Sequence, residues 1–354
     1  MTDKATRGEA AAPVEDIALG RAKAASEGVK KAPWWLTPAI GTAMFIAFAV
    51  LGATMNLGVV TTLTTVLYYT IIAQGWNLLG GYGGYVNFGA AVFAGAGAYM
   101  AAYLNHHFDW PIFATMIPAV AVACLISLIV GYATLRLRSH YFAIFTLALT
   151  FLAMVIAKNW PELGGGYGIF INFENDMTPR QIAQFFYFVL FALAIIASIV
   201  AFIVENSNFG YALRAISEDE PAAQVLGVKT TSVKLRALII GAGFGGLAGS
   251  VYAFFTGYIE PAGTFSLDVA LDIVLVCVIG GMNSWLGPII GSIVVVSLEQ
   301  FLRVTVPQIE IFGATLPAET NRLVLGILLL IFAMFVRRGI VGLFQKQRGR
   351  KVSV

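Results

Sequence analysis

Apolar runs long enough to cross a bilayer recur along almost the whole chain, and this repetition restricts the fold more than any other feature. A transmembrane helix needs about 20 mostly apolar residues, and roughly ten such runs can be placed. Their approximate bounds are 36–55, 58–79, 83–104, 112–135, 141–157, 182–204, 236–257, 265–282, 285–304 and 322–337. Because backbone polar groups inside a bilayer must be satisfied within the protein, the runs predict an all-α, polytopic membrane protein.

The charge content supports a membrane location. Only 12% of the 354 residues are charged, whereas a soluble domain has about 25%. The chain contains no GxxxxGK[ST], HExxH or GxSxG pattern, so none of the nucleotide-binding or hydrolase motifs with those signatures is present. We therefore expect no enzyme activity and no bound cofactor or metal in this chain.

The distribution of basic residues predicts the orientation. With a cytoplasmic N-terminus, most of the 22 Lys and Arg residues fall in inside segments. Only four fall outside, namely Lys158, Arg180, Arg303 and Arg322. This bias favours ten spans with both termini in the cytoplasm. The predicted organisation is a polar leader (1–33), a transmembrane domain (34–338) with a cytoplasmic loop (205–236), and a basic tail (339–354).

The loop 205–236 is a polar stretch inside an otherwise apolar protein. Its pattern predicts two short helices, the second of which begins at the acidic run Glu218-Asp219-Glu220 and ends near Gly227. Negative charge is favoured at a helix N-terminus, and a glycine can end a helix in the left-handed conformation. A membrane protein without a catalytic motif needs a surface through which another protein can act on it, and this loop is the candidate.

Small residues dominate the segment from Gly80 to Ala98 and the segment 241–250. Two interpretations of the first segment are open: close helix packing, or a broken helix that lines a path. Packing is favoured for 241–250, where Gly241, Gly245 and Gly249 share one helix face.

Three acidic residues lie inside predicted spans. Asp268 and Asp272 share one helix face, so they can line a polar path or form a proton relay. Alternatively, Asp268 caps its helix at the outer membrane surface, close after Ser266. Glu299 lies four residues before Arg303 and can pair with it.

Three blocks resemble the LivM-like permease subunits of branched-chain amino acid ABC transporters, a family that also includes urea-type permeases. They are NLLGGYGGYVNFGAAVFAGAGAY (77–99), GYALRAISEDEPAAQVLGVKTTSVKLRALIIGAGFGGLAGSVYAFFTGYIEP (210–261) and GGMNSWLGPIIGS (280–292). They occur in the family's order, and the resemblance covers roughly residues 57–305. It implies a multi-pass permease of the bacterial inner membrane.

The resemblance also implies partners. These are two cytoplasmic ATP-binding subunits that hold ATP and Mg²⁺, a second permease subunit, usually a sister chain, and a periplasmic or extracellular substrate-binding protein. The loop would couple the chain to the ATPase. The family's pattern of an acid, two alanines and a glycine assigns this role to Arg214, Glu218, Asp219, Glu220, Ala222, Ala223, Leu226 and Gly227.

The candidate lining of the translocation path comes from the glycine-rich block and the intramembrane acid: Asn77, Gly84, Asn87, Gly89 and Asp272. The chain departs from the family at Asn87-Phe88, at Ala90 and in the outer loop 163–168. The cargo is therefore a branched-chain amino acid, another amino acid, urea or a short amide. An ion-coupled secondary transporter that uses Asp268 and Asp272 is the alternative function.

Overall fold

The computed structural model describes residues 36–137, 139–173, 176–305, 310–311, 314–315, 326 and 339–346. Within these residues almost all regular structure is helical, and the strands are two-residue segments that form two antiparallel pairs. The all-α class predicted from the apolar runs is confirmed.

Thirteen helices are numbered here in chain order. They are α1 (Leu36–Thr54), α2 (Leu57–Asn77), α3 (Ala90–Phe108), α4 (Ile112–Thr134), α5 (Ser139–Asn159), α6 (Pro179–Glu205), α7 (Asn208–Glu218), α8 (Glu220–Val225), α9 (Thr230–Thr256), α10 (Pro261–Thr264), α11 (Leu267–Gly280), α12 (Gly287–Thr305) and α13 (Gly339–Lys346). One π-helical turn, Leu78–Tyr82, extends α2. Two 3₁₀ turns, Pro161–Leu163 and Gly165–Tyr167, precede the first strand.

The strand pairs are short. Strand β1 (Ile169–Phe170) pairs with β2 (Tyr258–Ile259), and Ile169 lies opposite Ile259. Strand β3 (Glu310–Ile311) pairs with β4 (Ala314–Thr315).

Six helical segments in the described part of the chain are long and apolar enough to cross a membrane. They are Leu57–Tyr82, Ile112–Thr134, Ser139–Asn159, Pro179–Glu205, Thr230–Thr256 and Pro261–Gly280. Helices α1, α3 and α12 occupy three more of the predicted runs. The leader and, apart from residue 326, the run 322–337 lie outside the described residues. Ten crossings and the side on which the termini lie therefore stay predictions.

Helix boundaries follow local signals. Thr178 accepts a hydrogen bond from the Gln181 backbone N–H, and the Gln181 side chain accepts one from the Thr178 N–H, so α6 begins with a capping box followed by Pro179. Helix α9 ends at Gly257, whose φ of +69° is left-handed.

Helix α9 lies at the centre of the bundle, against α2, α3 and α4. The contact with α3 brings backbone against backbone. A Cβ added to Gly97 on α3 would lie 2.3 Å from the carbonyl oxygen of Gly246 on α9, and one on Gly249 would lie 2.0 Å from that of Ala94. Packing is therefore the role of the small residues at 241–250, as predicted.

The predicted run 83–104 has the wrong start. Helix α3 begins only at Ala90, and residues 83–89 form a non-helical segment in which Tyr85 and Asn87 are 5% and 4% exposed. The block thus combines packing along α3 with irregular backbone before it. A role of this block in lining a path stays a prediction. We call residues 83–89 the broken segment.

At one end of the bundle, here called the loop end, the broken segment meets α7 and the start of α5. The turn 281–286 lies at the same end, beside Glu205. The Ser139 hydroxyl donates to the Gly84 carbonyl at 2.9 Å. The Tyr82 hydroxyl and the Trp285 backbone N–H both donate to the Glu205 carboxylate, at 2.9 and 2.8 Å.

At the opposite end, here called the strand end, β1 pairs with β2. The Asn172 N–H donates to the Asn105 side chain at 2.9 Å. The turns at the loop end are those that the basic-residue pattern predicts on the cytoplasmic side, and the turns at the strand end are those it predicts outside. The division between the two ends therefore matches the alternation of the predicted spans.

Candidate functional site

The loop 205–236 contains the two short helices that the sequence predicts, α7 and α8. Ser207 caps α7, and its hydroxyl accepts a hydrogen bond from the Gly210 N–H. Asp219 caps α8 by accepting from the Ala222 N–H at 3.0 Å. The acidic run therefore separates the two helices, with Glu218 last in α7 and Glu220 first in α8.

Gly227 ends α8 in the left-handed conformation, with φ of +87°. The N–H of Gly227 donates to the Gln224 carbonyl at 2.9 Å, and the N–H of Val228 donates to the Ala223 carbonyl at 3.0 Å. These two bonds form a Schellman motif, the termination that a glycine at this position favours.

Helix α8 presents an apolar face to its surroundings. Val225 is 88% exposed and Leu226 is 82% exposed. Ala222, about one helical turn earlier, is exposed as well. Ala223 points the other way and is buried in a cluster with Leu213. Of the two alanines predicted to contact an ATPase, only Ala222 faces outward.

The carboxylate of Glu220 turns toward the bundle. Its Oε1 lies 2.6 Å from the Nζ of Lys234, a side chain with only 2% of its surface exposed. The Tyr85 hydroxyl donates to Oε2, and Lys234 Nζ also donates to the Tyr85 oxygen at 3.0 Å. Glu220, Lys234 and Tyr85 thus form a closed triad, which we call the latch.

The latch perturbs the titration of Glu220. Burial acts to raise the pKa of this carboxyl, but hydrogen bonds from Lys234, Tyr85 and Thr230, together with the charge of Lys234, outweigh burial and hold the pKa below its ordinary value. Glu220 is therefore held as a carboxylate at neutral pH.

Arg214 joins a second polar cluster at the loop end. Its guanidinium lies 3.7 Å from the carboxylate of Glu205 and 5.3 Å from the ring centroid of Tyr82. Because Glu205 also accepts from Tyr82 and from the backbone of Trp285, the cluster fastens α7 to the π turn and to the turn before α12.

Three of the predicted path residues lie together in the broken segment. Gly84 has φ of +71°, a left-handed conformation that favours glycine, and Gly89 donates its N–H to the Asn87 side chain at 2.9 Å. The Asn87 carbonyl accepts from the Trp76 indole at 2.7 Å.

Asn77 lies on α2 just before the π turn. It is fully buried, and its amide donates to the Ser284 carbonyl at 3.2 Å. Its side-chain oxygen is one of three buried side-chain atoms in the described residues that lack a hydrogen-bond partner. A buried acceptor without a hydrogen-bond partner is energetically unfavourable in general.

Asp272 is not part of this group. It lies on α11, where its carboxylate accepts from the Tyr69 hydroxyl at 3.3 Å. Tyr69 precedes Asn77 by eight residues, or about 12 Å along α2. The structure therefore separates the predicted path residues into a loop-end group and a single acid nearer the strand end.

The capping role proposed for Asp268 is wrong. Ser266 is the N-cap of α11, since its hydroxyl accepts from the Val269 N–H at 3.2 Å. Asp268 lies exposed in the first turn, where its charge favours the helix dipole. The pairing of Glu299 with Arg303 is confirmed at 2.8 Å.

A cavity of about 320 Å³ lies at the strand end, and Tyr69, which donates to Asp272, is part of its lining. The polar part of its lining consists of four tyrosines and one carboxylate, namely Tyr68, Tyr69, Tyr252, Tyr258 and Glu260. Small and apolar residues form much of the rest. The rings of Tyr68 and Tyr252 stack with centroids 4.0 Å apart. Such a surface can bind an ammonium group through the ring faces and the carboxylate.

The sequence did not predict a role for several of these residues. Tyr85 and Lys234 carry no motif, and Lys234 is indistinguishable in sequence from the other basic residues of an inside loop. The tyrosines of the cavity come from three separated segments. A search for ionisable residues at the edges of predicted spans would include Lys234, but it would include Arg236 equally.

Comparison with known proteins places this chain in a family. The model of the family "Branched-chain amino acid transport system / permease component" matches residues 58–333. The chain is 28% identical over 274 residues to the high-affinity branched-chain amino acid transport system permease protein LivM of Salmonella typhimurium, covering 70% of this chain and 64% of that protein. It is 27% identical over 274 residues to LivM of Escherichia coli, with the same coverage.

A further relative is the permease protein LivH of Salmonella typhimurium, which is 27% identical over 182 residues, covering 51% of this chain and 54% of LivH. The chain therefore spans somewhat less than two thirds of the length of the LivM relatives. No solved structure matches it. With the family model covering most of the sequence and six helices able to cross a membrane, the chain is a multi-pass membrane protein that belongs to the permease component family of branched-chain amino acid transport systems.

Proposed function

We propose that this chain is the permease subunit of an ATP-driven, binding-protein-dependent importer in the bacterial inner membrane. It forms a translocation path and hydrolyses no ATP itself. Two cytoplasmic ATP-binding subunits, with bound ATP and Mg²⁺, drive transport by hydrolysing ATP. A second permease subunit completes the translocation path, and an external substrate-binding protein delivers the substrate. Family membership supports the transport role.

The observation that carries the proposal is the exposed face of α8. Apolar side chains that stand 88% and 82% exposed on a polar loop, as Val225 and Leu226 do, mark a surface that a partner covers. The exposed carboxylates of Glu218 and Asp219 flank it. The ATP-binding subunit is the occupant that the family implies.

The basic residues support a cytoplasmic position for the loop end. Arg136, Arg214, Lys229 and Arg236 lie in or beside its turns, whereas Lys158 and Arg180 lie at the strand end. This arrangement follows the positive-inside rule and supports the proposal that both termini of a chain with ten crossings lie in the cytoplasm. The exposed turn around Tyr167, at the strand end, is then available to the substrate-binding protein.

The cavity at the strand end favours an amino acid as the cargo. The Glu260 carboxylate and the tyrosine faces suit an α-ammonium group, and Ile259, Ala98 and Val269 suit an aliphatic side chain. Urea and short amides carry no cationic group for this surface to select. From the cavity the path would pass Asp272 toward Asn77 and the broken segment.

The ion-coupled alternative requires Asp268 and Asp272 on one shared path. Asp268 lies exposed in the first turn of its helix, and Asp272 is engaged by Tyr69. An ion-coupled mechanism gives no role to the exposed face of α8, whereas ATP-driven transport requires a surface that binds the ATP-binding subunit.

The test is co-purification in mild detergent of the ATP-binding subunits with this chain. We expect Leu226→Asp to abolish co-purification, because it places a charge in a face that must be desolvated. Tyr167→Asp is the matched control: Tyr167 is 91% exposed at the strand end, so its substitution should leave ATPase binding unchanged. Failure of the wild-type chain to retain an ATP-binding subunit would contradict the proposal.

A further inference from the structure

The role expected for Glu220 was contact with the ATPase, yet its carboxylate faces the bundle. Oε1 is bound by Lys234 at 2.6 Å, and Oε2 receives the hydroxyl of Tyr85. Both acceptor atoms of the carboxylate are thus occupied within this chain. Glu220 moves with α8, because it is the first residue of that helix.

The other end of the contact lies in the broken segment. Tyr85 is 5% exposed, packs edge-on against Phe142 with centroids 5.8 Å apart, and donates its N–H to the Leu79 carbonyl at 3.1 Å. Two residues later Asn87 accepts from Trp76, and Phe88 is held through its N–H and its carbonyl by Thr146 and Thr150. Tyr85 is therefore connected to α2 and α5 through the hydrogen bonds of Asn87 and Phe88.

Lys234 joins α9 to the same contact. Its Nζ lies 4.3 Å from the ring centroid of Tyr85 and donates to that residue's hydroxyl. A cation buried to this extent needs both oxygen partners, so the triad resists separation of α8 from the broken segment. The opposite end of α8 has more room, since nothing lies within 4 Å of a Cβ added at Gly227.

We propose that the latch formed by Tyr85, Glu220 and Lys234 transmits displacement of α8 to the broken segment, and so links ATP hydrolysis by the partner to the path in this chain. Tyr85 and Lys234 are positioning residues in this account. Glu220 acts inside the chain, and the exposed residues of α8 make the contact with the ATPase. The inference rests on the proposed function.

The discriminating variant is Tyr85→Phe in the complete transporter reconstituted in proteoliposomes. It keeps the ring and removes the hydroxyl that bridges Glu220 and Lys234. We expect the ATP-binding subunits to stay bound and ATP hydrolysis to continue near the wild-type rate. Substrate uptake per ATP hydrolysed should fall by about tenfold, the change that corresponds to losing a hydrogen bond to a charged group.

Tyr141→Phe is the matched control, because Tyr141 lies at the same end of the bundle and is 63% exposed. Its uptake per ATP should equal that of the wild type. Wild-type coupling in Tyr85→Phe would overturn the latch while leaving the importer intact. Absence of ATP-dependent uptake in the wild-type complex would instead overturn the proposed function.

Hydrogen exchange on the wild-type complex tests the latch without a substitution. Addition of a non-hydrolysable ATP analogue should change the exchange of amides in 208–227 and also in 83–89. A change confined to 208–227 would contradict transmission. This measurement decides the question even if Tyr85→Phe fails to fold.

Discussion

Lys234 shows how far the position of one residue depends on partners that are distant in sequence. Its two oxygen ligands, Glu220 and Tyr85, lie 14 and 149 residues away along the chain. The sequence counts Lys234 only as one more positive charge of an inside loop. Burial to 2% exposure follows from how α9, α8 and the broken segment pack, which no local pattern encodes.

The latch predicts a stability change on substitution of Glu220. Glu220→Gln leaves the buried ammonium of Lys234 without a counter-charge, so we expect the free energy of unfolding to fall by about 2–3 kcal/mol. This loss is smaller than for a fully buried ion pair, because the Glu220 side chain is 23% exposed. Thermal unfolding in detergent measures this change. Glu218→Gln, at an exposed carboxylate two residues earlier in the chain, should shift the melting temperature little.

The effect of Glu220→Gln should also depend on pH. The folded-state pKa of Glu220 lies below its ordinary value of 4.5. The stabilisation is therefore complete above that value and is lost as the pH falls through the lower folded pKa. We expect a constant difference in melting temperature between wild type and variant at pH 5–8, narrowing below about pH 4. A difference that stays unchanged in acid would contradict the ion pair.

At the scale of elements, the apolar runs predict helix positions well where composition changes sharply. The run 58–79 corresponds to α2 at Leu57–Asn77, and the acidic turn between the two loop helices falls where Asp219 caps α8. For the run 83–104 the predicted start is wrong, because the helix begins only at Ala90. Residues 83–89 carry no charge and continue into an apolar run. The left-handed Gly84 and the hydrogen bonds of Asn87 and Phe88 nevertheless hold them in a non-helical conformation.

The glycine contacts between α3 and α9 give a prediction at this scale. Gly97→Ala places a Cβ 2.3 Å from the Gly246 carbonyl oxygen, so the helices must separate, and we expect a loss of about 1–3 kcal/mol in unfolding free energy. Gly243→Ala is the control. Its Cβ would lie 3.5 Å from the Cys124 sulfur, an ordinary contact, and the lower backbone entropy of alanine should leave stability equal or higher. Equal losses in both variants would contradict close packing at Gly97.

For the whole molecule, the two ends of the bundle have different chemistry. The loop end carries α8, the latch, the Glu205–Arg214 cluster and the broken segment. The strand end carries the tyrosine-lined cavity and Glu260. The sequence predicts this division through its basic residues, but the cavity arises only when segments from α2, α9 and the turn after β2 come together. A path between the two ends would connect the surface for an external binding protein with the surface for an ATPase.

Uptake by the reconstituted transporter tests the central claim most directly. The chain would be assembled in proteoliposomes with its second permease, its ATP-binding subunits and its substrate-binding protein, and uptake of a radiolabelled branched-chain amino acid would be followed. The account predicts uptake that requires ATP, proceeds without an ion gradient and is abolished by Leu226→Asp. Uptake that follows an ion gradient, continues without ATP and survives Leu226→Asp would contradict it.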